Sequence, residues 1–378
     1  MMRWVLYALL AIFVFATVGL TGLWFMTVPE PFAAGTASAS RFSPGPYPVG
    51  RSDFDWVDAE RAQPPGRRAL PTTMWYPKDS DGEHTLLVFS HGLMSSRFGC
   101  TYMAEHLASY GYIVVSADHP FSHAGAPGGP DFLDVVNQPA DLTFLIDRTL
   151  QLGEGERPFN GTIDPHRIGA FGISLGANTV TLAAFHPDWR DPRIAAVISI
   201  VGHGDVFGSS FFDNAPVPFL MIAGTADAIV DYDVNAAPIP QRIRKGGGGL
   251  LTIKGATHAG FTNLTSGLLR VLGNPDNLGC GAVTADDIPQ DKSPFVGLFG
   301  TPEQGLIVPS EYRAPCAKTF EQVLKAGRQQ NIAALAVRAF FDSQFAVSDE
   351  EKQAGRDFLE TTIANELNEV TYQPASRR

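Results

Sequence analysis

Six short, almost wholly apolar runs recur down this chain, at residues 85–90, 112–116, 168–171, 194–201, 216–223 and 249–253. A run of that length without polar alternation reads as a strand buried on both faces, which is how strands sit in a parallel sheet. The stretches between them carry helical signals. Residues 100–110 hold Met103 and Leu107 four apart and stop at Gly111, a helix cap. Residues 139–150 start with proline and set Leu142, Leu145, Ile146 and Thr149 on one side, and residues 177–185 have the composition of a helix. Two further strands, 47–57 and 70–76, precede the series. The alternation predicts an α/β fold, a mostly parallel sheet covered by helices on both faces. A chain of 378 residues, 44% of them hydrophobic, fills one large core, so one α/β domain with an insertion is the economical reading.

The third run breaks abruptly into Gly172-Ile173-Ser174-Leu175-Gly176 before the helical stretch begins. A serine at a sharp strand-to-helix turn is forced into a strained backbone conformation, and flanking glycines remove the side chains that would collide there. Its hydroxyl then projects above the sheet. The same turn puts the amide of Leu175 at a helix N-terminus, where an unpaired donor and the dipole's positive end can receive an oxyanion.

A serine hydroxyl needs a base to take its proton as it attacks, and the base needs a third group to fix its tautomer. In sheets of this kind such groups collect at the carboxyl ends of strands. After residues 216–223 comes Gly224-Thr225-Ala226-Asp227, and after 249–253 comes Gly255-Ala256-Thr257-His258. Asp227 is therefore the expected orienter, with Asp231 and Asp205 as alternatives, and His258 the expected general base and acid. His91, His119, His123 and His203 also lie near strand ends. His91 reads better as part of Ser90-His91-Gly92-Leu93, a turn presenting the amide of Leu93 as a second oxyanion donor. The other three read as cleft-wall, loop or structural residues.

The remaining signals bear on location and partners. Between Arg3 and Glu30 there is no charge, and residues 4–26 are nearly all apolar, long enough to cross a bilayer as a helix. Arg3 favours a cytoplasmic N-terminus, with the rest outside. Ala37-Ser38-Ala39 offers a signal-peptidase site, so an uncleaved anchor competes with a cleaved signal and a secreted or periplasmic protein. The expected organisation is an anchor or signal at 1–28, a linker at 29–46 and a catalytic domain at 47–378, with an insertion at about 262–317. The formal charge of −11, with no basic cluster, argues against nucleic acid. Cys100, Cys280 and Cys316 form no metal-binding pattern, so no metal or cofactor is expected. In an exported domain Cys280 and Cys316 could pair; three free thiols is the alternative.

Together, Gly172-Ile173-Ser174-Leu175-Gly176, Ser90-His91-Gly92-Leu93, Gly224-Thr225-Ala226-Asp227 and Thr257-His258 resemble the α/β-hydrolases. Tyr47-Pro48-Val49-Gly50, Arg61, Leu70-Pro71 and Trp75-Tyr76-Pro77 resemble more narrowly the platelet-activating-factor acetylhydrolase and dienelactone-hydrolase-like group, although Ser174 stands where dienelactone hydrolases carry cysteine. Val337-Arg338-Ala339-Phe340-Phe341 is similar to that group's closing helix, and Thr257-His258-Ala259-Gly260-Phe261 resembles cutinase-like polyesterases. The resemblance implies cleavage of small-molecule or lipid carboxylic esters through an acyl-serine, without a metal. Within that class a phospholipid acetyl ester or a polyester, and outside it acyl transfer to an acceptor other than water or a non-catalytic binding protein of the same fold, are the alternatives. The Gly- and Pro-bearing insertion begins almost directly after His258 and is expected to be a lid or cleft wall over it.

Overall fold

The computed structural model describes residues 28–63, 66–271, 273–282 and 295–376. Its centre is a nine-stranded sheet in the order β1-β2-β4-β3-β5-β6-β7-β8-β9. The strands are β1 (Val49–Gln63), β2 (Gly66–Pro77), β3 (Glu83–Ser90), β4 (Ile113–Ala117), β5 (Thr162–Ile173), β6 (Ile194–Ile200), β7 (Phe219–Gly224), β8 (Gly248–Ile253) and β9 (Val370–Pro374). The six strands from β4 to β8 in the sheet are mutually parallel, as the apolar runs predict. The edges are antiparallel: β1 and β2 form a long hairpin joined to β4, and β9 pairs with β8.

Helices cover both faces. On one side α3 (Gln138–Leu150) and α4 (Leu175–Phe185) bury Leu142, Leu145, Ile146, Val180 and Leu182 against the sheet. On the other, α2 (Thr101–Ser109) and α6 (Ala326–Phe345) bury Met103, Leu107, Leu335 and Phe341. Each such side chain removed from water contributes roughly 1.5–3 kcal/mol. Gly169 of β5 lets α6 sit close, since a Cβ there would lie 2.7 Å from the Phe341 ring. Helix α6 runs from the carboxyl rim of the sheet, where Gln329 meets Thr257, to the opposite rim, where the Phe345 carbonyl meets Arg167. A shorter helix, α7 (Asp349–Asp357), follows with a Ser348/Glu351 capping box.

One stretch differs from the expectation. Residues 29–46, expected as a linker, are docked on the body. Phe32 is buried, α1 (Ala37–Phe42) lies along α6, and Glu366 accepts the amides of Ala37 and Ser38, both at 2.8 Å. An Ala/Ser/Gly/Pro-rich composition gave no sign of these long-range partners. The insertion's described residues are likewise anchored. Phe295 and Phe299 are buried, Phe299 stacks on Phe207 at 5.7 Å, and Ile307 donates to the Val206 carbonyl at 2.8 Å. Cys280, in α5 (Asp276–Ala282), is disulfide-bonded to Cys316. The anchor or signal expected at residues 4–26 lies outside the described residues. Among those described, no helix is long and apolar enough to cross a membrane.

Candidate active site

Pairing in the centre of the sheet brings Ser90 level with Gly172, so the turns leaving β3 and β5 lie side by side. Strand β4 has by then gone to one side of β3 and β5 to the other, which makes this the switch point where ligands of open α/β sheets collect. Ser174 stands on that turn with φ 57° and ψ −120°, the strained left-handed conformation expected of it. The neighbouring glycines are required by space. A Cβ at Gly172 would lie 2.2 Å from the Gly176 carbonyl oxygen, and one at Gly176 would lie 2.0 Å from that of Ser90. The Ser174 amide donates to the Ile200 carbonyl at 2.9 Å, while its side chain stays partly exposed.

Leu175 opens α4, so its amide has no partner within the helix. The peptide that carries the Leu93 amide is held beside Ser174 in a different way. Gly92 packs against Ser174, and its carbonyl accepts from His91 Nδ1 at 2.8 Å and from the Ser95 amide at 3.1 Å. In a trans peptide the N–H points opposite to the preceding C=O, so fixing the Gly92 oxygen aims the Leu93 donor the other way. His91 is itself held, since its Nε2 accepts from the His119 amide at 3.0 Å. The two bonds fix the tautomer with the proton on Nδ1. Burial, then the neighbouring His119, pushes the His91 pKa down to about 3.

Behind this turn lies a buried polar network that local sequence reading did not reveal. His119 bridges Ser90 Oγ at 2.9 Å and Asp141 Oδ2 at 2.8 Å. Asp141 and Asp134 together bind the buried Arg68 guanidinium. Burial disfavours the arginine's charge, but hydrogen bonds and charge from the two carboxylates outweigh it and hold its pKa above the ordinary value.

The other half of the site sits at the ends of β7 and β8, where Gly224 pairs with Ile253. A Cβ on Gly224 would lie 2.2 Å from the Ala256 oxygen, and the Ala226 amide donates to that oxygen at 2.9 Å, so the two turns are in direct contact. Asp227 is buried. Its Oδ1 accepts the amides of Ile229 and Val230 at 2.8 and 2.7 Å, and its Oδ2 meets His258 Nδ1 at 2.9 Å. The ring's Nδ1 is thus the donor and Nε2 is left as the basic nitrogen. Burial raises the Asp227 pKa, opposed by His258. Burial alone would lower that of His258, but the charge and hydrogen bond of Asp227, with the charge of Asp276, raise it.

Asp276 is a further residue of this half. Fully buried, it accepts from the amides of Ala228 and His258, both at 3.0 Å, and of Ala259 at 2.7 Å. One carboxylate at the start of α5 therefore ties both turns to the insertion. Its only sequence signal is position in a polar turn, Asn274-Pro275-Asp276, forty-eight residues from one partner. Gln329 of α6 completes the clamp, accepting from the Thr257 amide at 3.0 Å and donating to its carbonyl at 2.7 Å.

Asp205 and Asp231, the alternative orienters, are placed elsewhere. Asp231 caps a short helix and is paired with Arg313 and Lys318, and the Asp205 amide meets Asn235. His203 lies near His258 with its ring against Phe295 at 4.5 Å; burial, then the charge of His258, pushes its pKa down to about 3. His123 flanks the turn after β4 and accepts from the Gly125 amide. No hydrogen bond joins the Ser174 hydroxyl to the His258 ring in this structure. Such bonds commonly tighten only when substrate is bound. Among the described residues no group of three His, Cys, Asp or Glu side chains is arranged to hold a metal.

Comparison with known proteins agrees with this architecture. The PET hydrolase-like family model matches residues 69–271. A cutinase of Thermobifida alba, est1, is 25% identical over 254 residues, covering 63% of this chain and 77% of that protein. A Thermobifida fusca cutinase, cut1, is 25% identical over 239 residues, covering 60% and 67%. Among solved structures, a ferulic acid esterase from Streptomyces cinnamoneus superposes with a TM-score of 0.52 at 20% identity, covering 91% of this chain and all of that one, a likeness of fold.

Proposed function

The chain belongs to the PET hydrolase-like family, a group of α/β-hydrolase serine esterases, and on that premise we propose that it cleaves carboxylic esters with Ser174, His258 and Asp227 as its triad. The observation that carries the assignment is the 2.9 Å contact between Asp227 Oδ2 and His258 Nδ1, at the rim where the strained Ser174 turn also ends. The Ser174 oxygen attacks the ester carbonyl as its proton passes to His258 Nε2. The amides of Leu93 and Leu175 receive the oxyanion of the tetrahedral adduct. Collapse breaks the bond to the alcohol, which leaves with the proton from His258, and the acyl group stays on Ser174. Water then attacks, gives its proton to His258 and releases the acid as Ser174 Oγ is reprotonated. Each oxyanion donor contributes about 2.7–4 kcal/mol to the transition state.

The relatives' names support polymer esters as well as lipid and small esters within this class. The Cys280–Cys316 bond supports residence outside the cytoplasm, in an oxidising compartment. Hydrolysis of p-nitrophenyl butyrate tests the proposal. Ser174→Ala is expected to lose turnover and fluorophosphonate labelling while keeping its circular dichroism spectrum, and equal turnover in both proteins would refute it.

A further inference from the structure

The described chain begins, at Val28 and Pro29, beside the catalytic rim. A Cβ on Gly327, at the start of α6, would lie 2.8 Å from Pro29 Cγ and 3.4 Å from Arg270 Cδ, so Pro29 and the turn at 267–271 meet there. That turn follows His258 through two short turns, Ala259–Phe261 and Asn263–Thr265. It is joined to α6 by the bond from Arg270 Nη2 to Gln330 Oε1. Arg328 of the same helix holds the carbonyls of Glu30 and Pro31, and its guanidinium lies over the Phe32 ring.

These segments carry exposed apolar side chains among their charged ones, Arg270 and Arg328. Leu264 is 55% exposed, Leu269 41%, Val271 42% and Val28 42%. A soluble body gains nothing from grouping such side chains in one place, whereas a bilayer surface covers them.

The docked segment also bears on whether the apolar stretch is retained. Cleavage after Ala39 would cut inside α1 and remove the buried Phe32 and Ser38 together with both amide bonds to Glu366. Two residues, Thr27 and Val28, separate the end of the apolar stretch at Met26 from Pro29, a reach of at most about 11 Å.

We infer that residues 4–26 are an uncleaved membrane anchor and that it holds the catalytic rim, through Val28, Leu264, Leu269 and Val271, against the bilayer from which the ester enters. Only the ester's route rests on the proposed esterase function; the orientation stands on the position of Pro29 and the exposed side chains. The opposite end of α6 provides a control. Twenty residues at 1.5 Å each carry the chain about 30 Å to the far rim, just beyond which Val347 is 84% exposed.

The test uses the full chain reconstituted in phosphatidylcholine/phosphatidylglycerol vesicles. Cys280 and Cys316 are paired and Cys100 is buried, so a cysteine introduced at Leu269→Cys or Val347→Cys takes a nitrobenzoxadiazole probe selectively. The expected result is blue-shifted emission, brighter by about twofold or more, at 269 and water-like emission at 347. Equal spectra at the two positions, or a shift at 347 alone, would overturn the orientation. In a second arm, Leu264→Asp with Leu269→Asp is expected to slow hydrolysis of vesicle-borne p-nitrophenyl palmitate about fivefold or more, with p-nitrophenyl acetate in water unchanged. An equal loss on both esters would overturn the ester's route through the bilayer. Absence of acetate hydrolysis in the parent protein would instead remove the esterase reading, with the probe experiment still deciding the orientation.

Discussion

The turns after β3 and β5 carry Ser174 and the amides of Leu93 and Leu175 proposed to receive the oxyanion, and they are locked by backbone contacts in the middle of the sheet with a buried charged network behind them. The turns after β7 and β8 carry Asp227 and His258, and side chains supplied between residues 276 and 330 lock them from outside. The first half is made by the sheet itself; the second depends on an insertion and on the last long helix. Disturbing the sheet's centre should therefore cost fold and chemistry together, whereas disturbing the insertion should detune the base and leave the nucleophile's turn intact.

After loss of the nucleophile itself, the largest effect on activity is expected for Asp227→Asn, which leaves the ring without a carboxylate to hold its tautomer. A fall in kcat of about 10⁴-fold, with the melting temperature little changed, is the predicted outcome in steady-state assays. A fall of tenfold or less would show that the pair at 2.9 Å is structural. Next comes His91→Phe, which keeps the ring's bulk and removes the shorter of the two hydrogen bonds that fix the Gly92 oxygen. Misaiming one oxyanion amide should lower kcat by up to about 10²-fold at nearly constant KM. Since burial and the neighbouring His119 hold His91 neutral down to about pH 3, its removal should leave the pH profile unmoved.

The unequal legibility of the two halves follows from the same contrast. The serine turn is written in ten consecutive residues, because the steric demands of the turn fall on Gly172 and Gly176 themselves. Asp227 and His258 were readable from strand order alone, as the residues after the last two parallel strands. Asp276, Gln329 and the Arg68–Asp141–His119 chain were not, because each acts across dozens of residues and has the composition of an ordinary loop or helix. The edge strand β9 escaped for a related reason. It is short and largely exposed, so only its pairing with β8 distinguishes it from a tail. Residues 29–46 show the opposite error, since linker-like composition concealed Phe32 and Ser38, which fill buried sites.

A smaller effect, and a sharper one, belongs to Asp276→Asn. Its charge helps raise the His258 pKa, so kcat/KM should rise with pH through a limb above the ordinary histidine value of about 6.5, and the substitution should move that limb toward acid. The amide cannot accept at both ends, leaving one of three buried N–H groups unpaired at a cost of about 1–3 kcal/mol. The linkage has a definite sign. A histidine raised in the folded state stabilises fully below its unfolded pKa and loses that contribution as pH rises through the folded value. The variant's deficit should therefore be larger at pH 5 than at pH 9, and a deficit independent of pH would mean that Asp276 acts by hydrogen bonding alone.

The smallest effect on activity is expected from the disulfide. Replacing Cys280 and Cys316 by serine opens a loop spanning 36 positions, which the chain-entropy estimate values at up to about 4 kcal/mol of stability. The bond lies four residues beyond Asp276, and the Cys316 amide donates to the Ala228 carbonyl, so the turn carrying Asp227 has a second tether that survives the change. Thermal denaturation should show a clear loss of melting temperature while kcat stays within about tenfold, because the reacting groups keep their near-attack placement. A loss of kcat as large as that of Asp227→Asn would mean that the insertion assembles the base half, and the distinction between a site made by the sheet and one steadied from outside would give way to a requirement for both.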